Sequence, residues 1–328
     1  MPFLASLCSL ALITFAPADD PKPGAELARK GDEIVVAGRL FHTTTPVVLW
    51  SDPGGYDAYR PERRFVPMEK ATWKEAEESG IKTPNRYGAR TRGMTPEQVE
   101  GLREGIDLAR LQEIVDQFVI HYDVCGISRT CFRVLHDERC LSVHFMLDID
   151  GTIYQTLDLK ESAWHATIAN GRSIGIEIAN MGSYSQKDNK AFQRWYGKDT
   201  DGKVKITVPG GLEAGHFRNL KASFAPIRNE LVEGNVQGQD HYQYDFTPEQ
   251  YEALTRLTAT LCAVFPRITC DYPKDASGKL IPKKLPDDQY AAYHGVLGHY
   301  HVQTNKTDPG PAFQWDRVVG GAKKLLGR

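Results

Sequence analysis

The sequence predicts an α/β fold: a central mixed β-sheet flanked by helices, with a β-rich extension at its N-terminal end. Three observations predict it. Helical and strand patterns alternate through residues 85–328, the order that packs helices on a sheet. The runs QFVIHY (117–122) and SIGIEIAN (173–180) are nearly all apolar, as strands covered on both faces are. LSVHFMLDIDGTIYQTLD (141–158) turns at Asp150-Gly151 between alternating apolar residues, a hairpin signature.

The elements follow in chain order. Residues 3–16 are apolar and uncharged, but too short to span a bilayer. Ala16-Pro17-Ala18 then gives a small-residue cleavage site before Asp19-Asp20. Residues 1–18 therefore read as an export signal, and the mature chain as periplasmic or extracellular. Cys8 follows Leu7, which is bulkier than a lipid-attachment site wants. No other run is long enough to be transmembrane. Residues 19–84 form the extension. EIVVAGRLF (33–41) and PVVLW (46–50) predict a hairpin or two edge strands, and SDPGGYDAYRP (51–61) is turn-rich.

Thr95-Pro96-Glu97-Gln98 starts a helix with a capping box, and a second helical pattern, IDLARLQEIVDQ, leads into QFVIHY. Residues 183–245 are polar and weakly periodic, an insertion within the domain 85–328. Thr247-Pro248-Glu249-Gln250 caps a helix to about Val264. A Pro- and Lys-rich loop (271–288) and a closing helix near Trp315–Leu326 complete the chain. Hydrophobic content of 41% and charged content of 25% are ordinary for a globular protein. A net charge of −2 argues against a nucleic-acid partner, which calls for a basic surface.

The chemistry concentrates in GHYHVQTNKTDPGPAFQW (298–315). His299 and Asp308 are two of the three protein ligands that a catalytic zinc needs, and Lys306 can direct a positive charge at the same place. The third ligand should be a histidine at the end of a buried strand, and His121 follows Phe118-Val119-Ile120. Each has a plainer reading: His121 as a core histidine, Asp308 as a turn residue before Pro-Gly, Lys306 as a solvated loop lysine. Glu177 stands inside Ile174-Gly175-Ile176-Glu177-Ile178, where burying a carboxylate is costly unless something uses it. The alternative is that it alternates outward to a surface cation.

These segments, with SVHFMLDIDGTIYQ, SAWHA and SIGIEIAN in the same order, resemble the zinc-dependent N-acetylmuramoyl-L-alanine amidases, the superfamily that includes the peptidoglycan recognition proteins. The resemblance covers roughly residues 110–183 and 247–320. It implies one zinc ion on His121, His299 and Asp308, Glu177 as general base and Lys306 as oxyanion stabiliser. It implies Trp164 and His165 at the substrate groove and His144 either there or supporting the metal, with a structural role as the alternative for each histidine, and peptidoglycan or a muropeptide as substrate. The chain departs at Asn305, where the family often has Arg, and at His301, where it often has an acidic residue. His301 reads as exposed, with a partner of the metal ligands as the alternative, and His42, His136, His216, His241 and His294 as surface residues without a motif. A non-catalytic peptidoglycan-binding module of the same fold is the alternative, and a zinc hydrolase of another amide is a third reading. The protein is taken to be a monomer.

Five cysteines remain beyond the signal, and an exported chain can form disulfides. The resemblance implies a short disulfide between Cys125 and Cys131. Cys262 could pair with Cys270 or Cys140, and one thiol is left over. The absence of a C-x₂-C pair counts against a cysteine zinc site.

Overall fold

A computed structural model of the chain describes residues 22–328 apart from Pro84 and Arg92. The export signal read at residues 1–18, with Cys8, lies outside them. Strands β1 (Glu33–Val36) and β2 (Arg39–His42) form the hairpin expected in the extension. Its turn residues Ala37 and Gly38 both have positive φ, as a tight two-residue turn requires, and the Asp158 carboxylate accepts both of their N–H groups. The next run forms β3 (Val47–Leu49) at the edge of the main sheet. Helix α1 (Trp73–Glu78) and strand β4 (Tyr87–Gly88) follow. Thr95 and Gln98 close the expected capping box of α2 (Pro96–Gly101), and Asp107 caps α3 (Leu108–Ile114).

All six residues of β5 (Gln117–Tyr122) are buried. Helix α4 (Ser128–Phe132) runs on into a π turn at Arg133–Glu138. β6 (Phe145–Leu147) and β7 (Ile153–Gln155) are the hairpin about Asp150-Gly151. β8 (Ser162–Ala163) pairs with β4, and β9 (Ser173–Ile178) returns to the sheet. The polar segment 183–245, read from sequence as an insertion, contains α5 (Lys190–Trp195) and two hairpins, β10 (Tyr196–Lys198) with β11 (Val204–Ile206) and β12 (Val232–Val236) with β13 (Gln239–Gln243). Helix α6 (Pro248–Val264) starts at the Thr247 capping box. Helix α7 (Asp287–Ala292) and β14 (Gly295–Gly298) precede the last π turn, Asp316–Gly320, which continues as α8 (Gly321–Leu325).

The six-stranded sheet has the order β14-β5-β9-β6-β7-β3. Its first four strands are parallel, β7 runs against β6, and β3 lies parallel to β7. The mixed sheet with flanking helices is as expected. Because side chains alternate along a strand, β5 and β9 each present two sets. Phe118, Ile120, Ile174, Ile176 and Ile178 join the core with Leu254, Leu257 and Leu261 of α6. His121 and Glu177, paired in register on neighbouring strands, belong to the other set. Residues 31–328 form one compact unit, and β3 makes the extension a part of the sheet. Among the described residues, no helix is long and apolar enough to cross a membrane.

Candidate metal centre

The C-terminal ends of the parallel strands, where open α/β sheets bind ligands, bring the separate motifs together. His121 is near the end of β5, and His299 is the first residue after β14. Gly298 lets this end abut the loop that carries Asp308: a Cβ there would lie 2.6 Å from Pro309 Cδ. The Tyr300 N–H donates to the Asp308 carbonyl and fixes the loop at 3.1 Å. Three buried atoms then meet. His121 Nδ1 is 2.9 Å from His299 Nδ1 and 2.8 Å from Asp308 Oδ2, and His299 Nδ1 is 3.0 Å from the same Oδ2.

The outer faces of both rings decide what those atoms are. His299 Nε2 lies 2.7 Å from Gln303 Oε1, an acceptor, so that nitrogen carries the hydrogen. His121 Nε2 lies 3.0 Å from His165 Nδ1, and His165 Nε2 lies 3.2 Å from Ser173 Oγ. Every partner is satisfied when His121 donates to His165 and His165 donates to Ser173. Both Nδ1 atoms are then lone pairs facing a carboxylate oxygen. Three buried acceptors so placed repel one another unless a cation sits among them, so these residues fit a metal ion. Burial and the neighbouring His299 push the His121 pKa down to about 4, keeping the ring in the neutral form that binds metal.

A cleft of about 200 Å³ opens on this cluster. Glu177 and Lys306 line it beside the candidate ligands, and Trp164 and His165 form part of its wall. Glu177 Oε2 is sealed from solvent without a hydrogen-bond partner. Burial, then Asp308 and Asp123, raise the Glu177 carboxyl well above its ordinary range, while Lys306 opposes this. A carboxylate left this way is primed to take a proton. His165 contacts the candidate ligand His121 directly, beyond the groove role the resemblance implied.

His144 does not reach the cleft. Its ring is fully buried, Nδ1 accepts the Gly175 N–H, and Nε2 faces the Glu161 carbonyl and Arg90. Its contacts are structural. Cys125 and Cys131 stand on the cleft wall as free thiols, where a disulfide was expected. Cys262 and Cys270 are buried free thiols as well, and Cys270 Sγ donates to the Val319 carbonyl. His301 is buried, accepting the Gly298 N–H on Nδ1 and bonding the Ile281 carbonyl through Nε2, so it is not the exposed ring expected. His136 and His241, read as surface residues, are also buried.

Sequence reasoning missed Gln303, Asp123 and Gly175. Gln303 lies four residues after His299, a spacing that could have suggested a partner one helical turn on. Asp123, whose pKa burial raises to about 7, lines the cleft with Oδ2 unpartnered. Gly175 leaves room for His165: a Cβ there would lie 2.5 Å from His165 Nδ1. Neither carries a local sequence signal.

No curated protein matches the chain. Among solved structures it is similar to a selenomethionine derivative of AmpD, at 18% identity over 72% of this chain and 89% of that one, with a TM-score of 0.33. It is similar to the N-acetylmuramyl-L-alanine amidase AmiD from E. coli, in complex with anhydro-N-acetylmuramic acid-L-Ala-D-γ-Glu-L-Lys. There the identity is 20% over 63% of this chain and 57% of that one, with a TM-score of 0.35. The endolysin amidase LysCS from Clostridium intestinale URNW gives 15% over 66% and 86%, with a TM-score of 0.32. The family model for N-acetylmuramoyl-L-alanine amidase matches residues 111–311, more than half the chain and the whole span from β5 to the Asp308 loop. The chain belongs to the N-acetylmuramoyl-L-alanine amidase family.

Proposed function

We propose that the protein is an exported, monomeric zinc amidase. It hydrolyses the amide between N-acetylmuramic acid and L-alanine in peptidoglycan or muropeptides. The observation that carries this is the convergence of His121, His299 and Asp308 at the floor of a cleft also lined by Glu177 and Lys306. The family match supports the substrate class. AmiD, a structural neighbour, is in complex with a muropeptide.

His121, His299 and Asp308 would hold one zinc ion. Bound there, zinc supplies a water acidified toward neutrality and polarises the scissile carbonyl. Glu177 accepts the proton of the attacking water at its free Oε2 and passes it to the departing L-alanine nitrogen. Its raised pKa suits both halves of that transfer. Lys306 places its ammonium beside the oxyanion that forms as the carbonyl becomes tetrahedral. Gln303 and His165 hold the two histidine rings in the tautomer that leaves each Nδ1 free. Trp164 offers an apolar wall for the substrate.

Glu177→Gln tests the assignment. It keeps the side chain's size and leaves the three ligands in place. Zinc content should stay at one ion per chain while turnover falls by roughly 10²–10⁴-fold. An active, zinc-loaded Gln variant would overturn Glu177 as the base.

A further inference from the structure

We infer that the β12–β13 hairpin of the insertion is the device that holds the Lys306–Asp308 segment in place, and that Gln237 at its tip is the positioning residue. The hairpin turns at Gln237-Gly238, and both residues have positive φ, 56° and 80°. Asn, Asp or Gly normally fills the first of these positions, because a longer side chain pays steric strain in the left-handed region. A glutamine kept there needs a reason.

The reason is where its amide goes. Gln237 Nε2 donates toward the carbonyls of Tyr300 at 2.9 Å, Gln303 at 2.8 Å and Lys306 at 3.1 Å. Those carbonyls span the loop from His299 to the edge of Asp308, so one amide gathers its two halves. The far side of the same group is fixed as well: Oε1 accepts the Lys284 N–H, and the Gln237 N–H donates to the Pro282 carbonyl. Gln243, near the other end of β13 and fully buried, repeats the pattern. Its Nε2 donates to the Pro309 carbonyl at 3.0 Å and its Oε1 accepts the Ala312 N–H at 3.0 Å. It packs so closely that a Cβ on Gly310 would lie 2.1 Å from its Oε1. The hairpin therefore clamps the loop on both sides of Asp308. Gln237 touches no reacting atom; it acts through the backbone that carries Lys306, Asp308 and the His299 partner Gln303.

Gln237→Gly separates this role from a merely structural one. It removes the amide and relieves the left-handed strain, so the thermal midpoint should move little. The zinc dissociation constant, read by competition with a chromophoric chelator, should rise roughly 10–100-fold, and kcat should fall about 10-fold or more with KM nearly unchanged. Gln237→Met keeps the length of the side chain and removes only its hydrogen bonds, and it should show the same losses. Gln239→Ala, on the exposed neighbour, should behave as wild type. Zinc affinity within about two-fold of wild type in the Met variant would overturn the proposal, even if the Gly variant melts early. The proposal rests on the amidase reading only for its kcat arm. Weakened zinc binding in a protein that cleaves no muropeptide would leave the clamp standing and remove the substrate assignment.

Discussion

Gly175→Ala probes the support behind the candidate metal centre most sharply. The added Cβ would lie 2.5, 2.6 and 2.7 Å from His165 Nδ1, Cε1 and Cγ. These atoms belong to a ring, not to the loose end of a flexible chain. That ring is held by His121 Nε2 at 3.0 Å and Ser173 Oγ at 3.2 Å, and the backbone N–H groups of residues 165 and 166 donate to Asn170 Oδ1. It cannot move without giving up its bond to His121. Overpacking a well-filled site costs about 1–3 kcal/mol, and a lost buried hydrogen bond about 1 kcal/mol more. The variant should lose roughly 2–4 kcal/mol in urea unfolding. With its tautomer no longer held, His121 should bind zinc about 10–100-fold more weakly in chelator competition. Gly320→Ala, where a Cβ meets nothing within 4 Å, is the matched control. A Gly175→Ala protein that melts and binds zinc like the control would refute the hydrogen-bond chain from His121 to Ser173.

Two further outcomes are expected. Lys306→Ala should lower kcat by roughly 10²–10³-fold with a small change in KM, as loss of an oxyanion stabiliser does, whereas an equal rise in KM alone would make Lys306 a binding residue. The second concerns acid. Burial, reinforced by Arg90, pushes the His144 pKa down to about 3, against about 6.5 in an unfolded chain. The unfolded state then binds more protons between these values, so stability should fall as pH drops from about 6.5 to about 3, at up to about 1.4 kcal/mol per pH unit from this ring. His144→Gln should flatten that slope in metal-free protein, measured by urea midpoints across the window; an unchanged slope would show that His144 is not the neutral ring described.

What the sequence revealed depended on distance along the chain. The capping boxes at Thr95 and Thr247 and the turn at Asp150-Gly151 obey rules that act within four residues, and each formed as expected. The meeting of His121 with His299 and Asp308 was legible from the apolar strand that ends near His121, from the rigid motif that holds His299 and Asp308, and from the family resemblance; β14, which delivers His299, was not. His301 was misread because its acceptor, the Ile281 carbonyl, comes from a loop with no pattern of its own. The hairpins of the insertion were invisible for a different reason. β12 and β13 leave much of their length exposed, so they carry little apolar alternation to betray a strand. Gln237 was hidden twice, by that polar setting and by a backbone conformation that sequence does not normally give to glutamine.

The central claim is tested by digesting peptidoglycan with the protein from Asp19 onward, untreated, after chelation, and after zinc is restored, with products identified by mass spectrometry. The account predicts free stem peptides beginning with L-alanine, lost on chelation and recovered with zinc. Tight binding to the wall by zinc-loaded protein with no peptide released would contradict it.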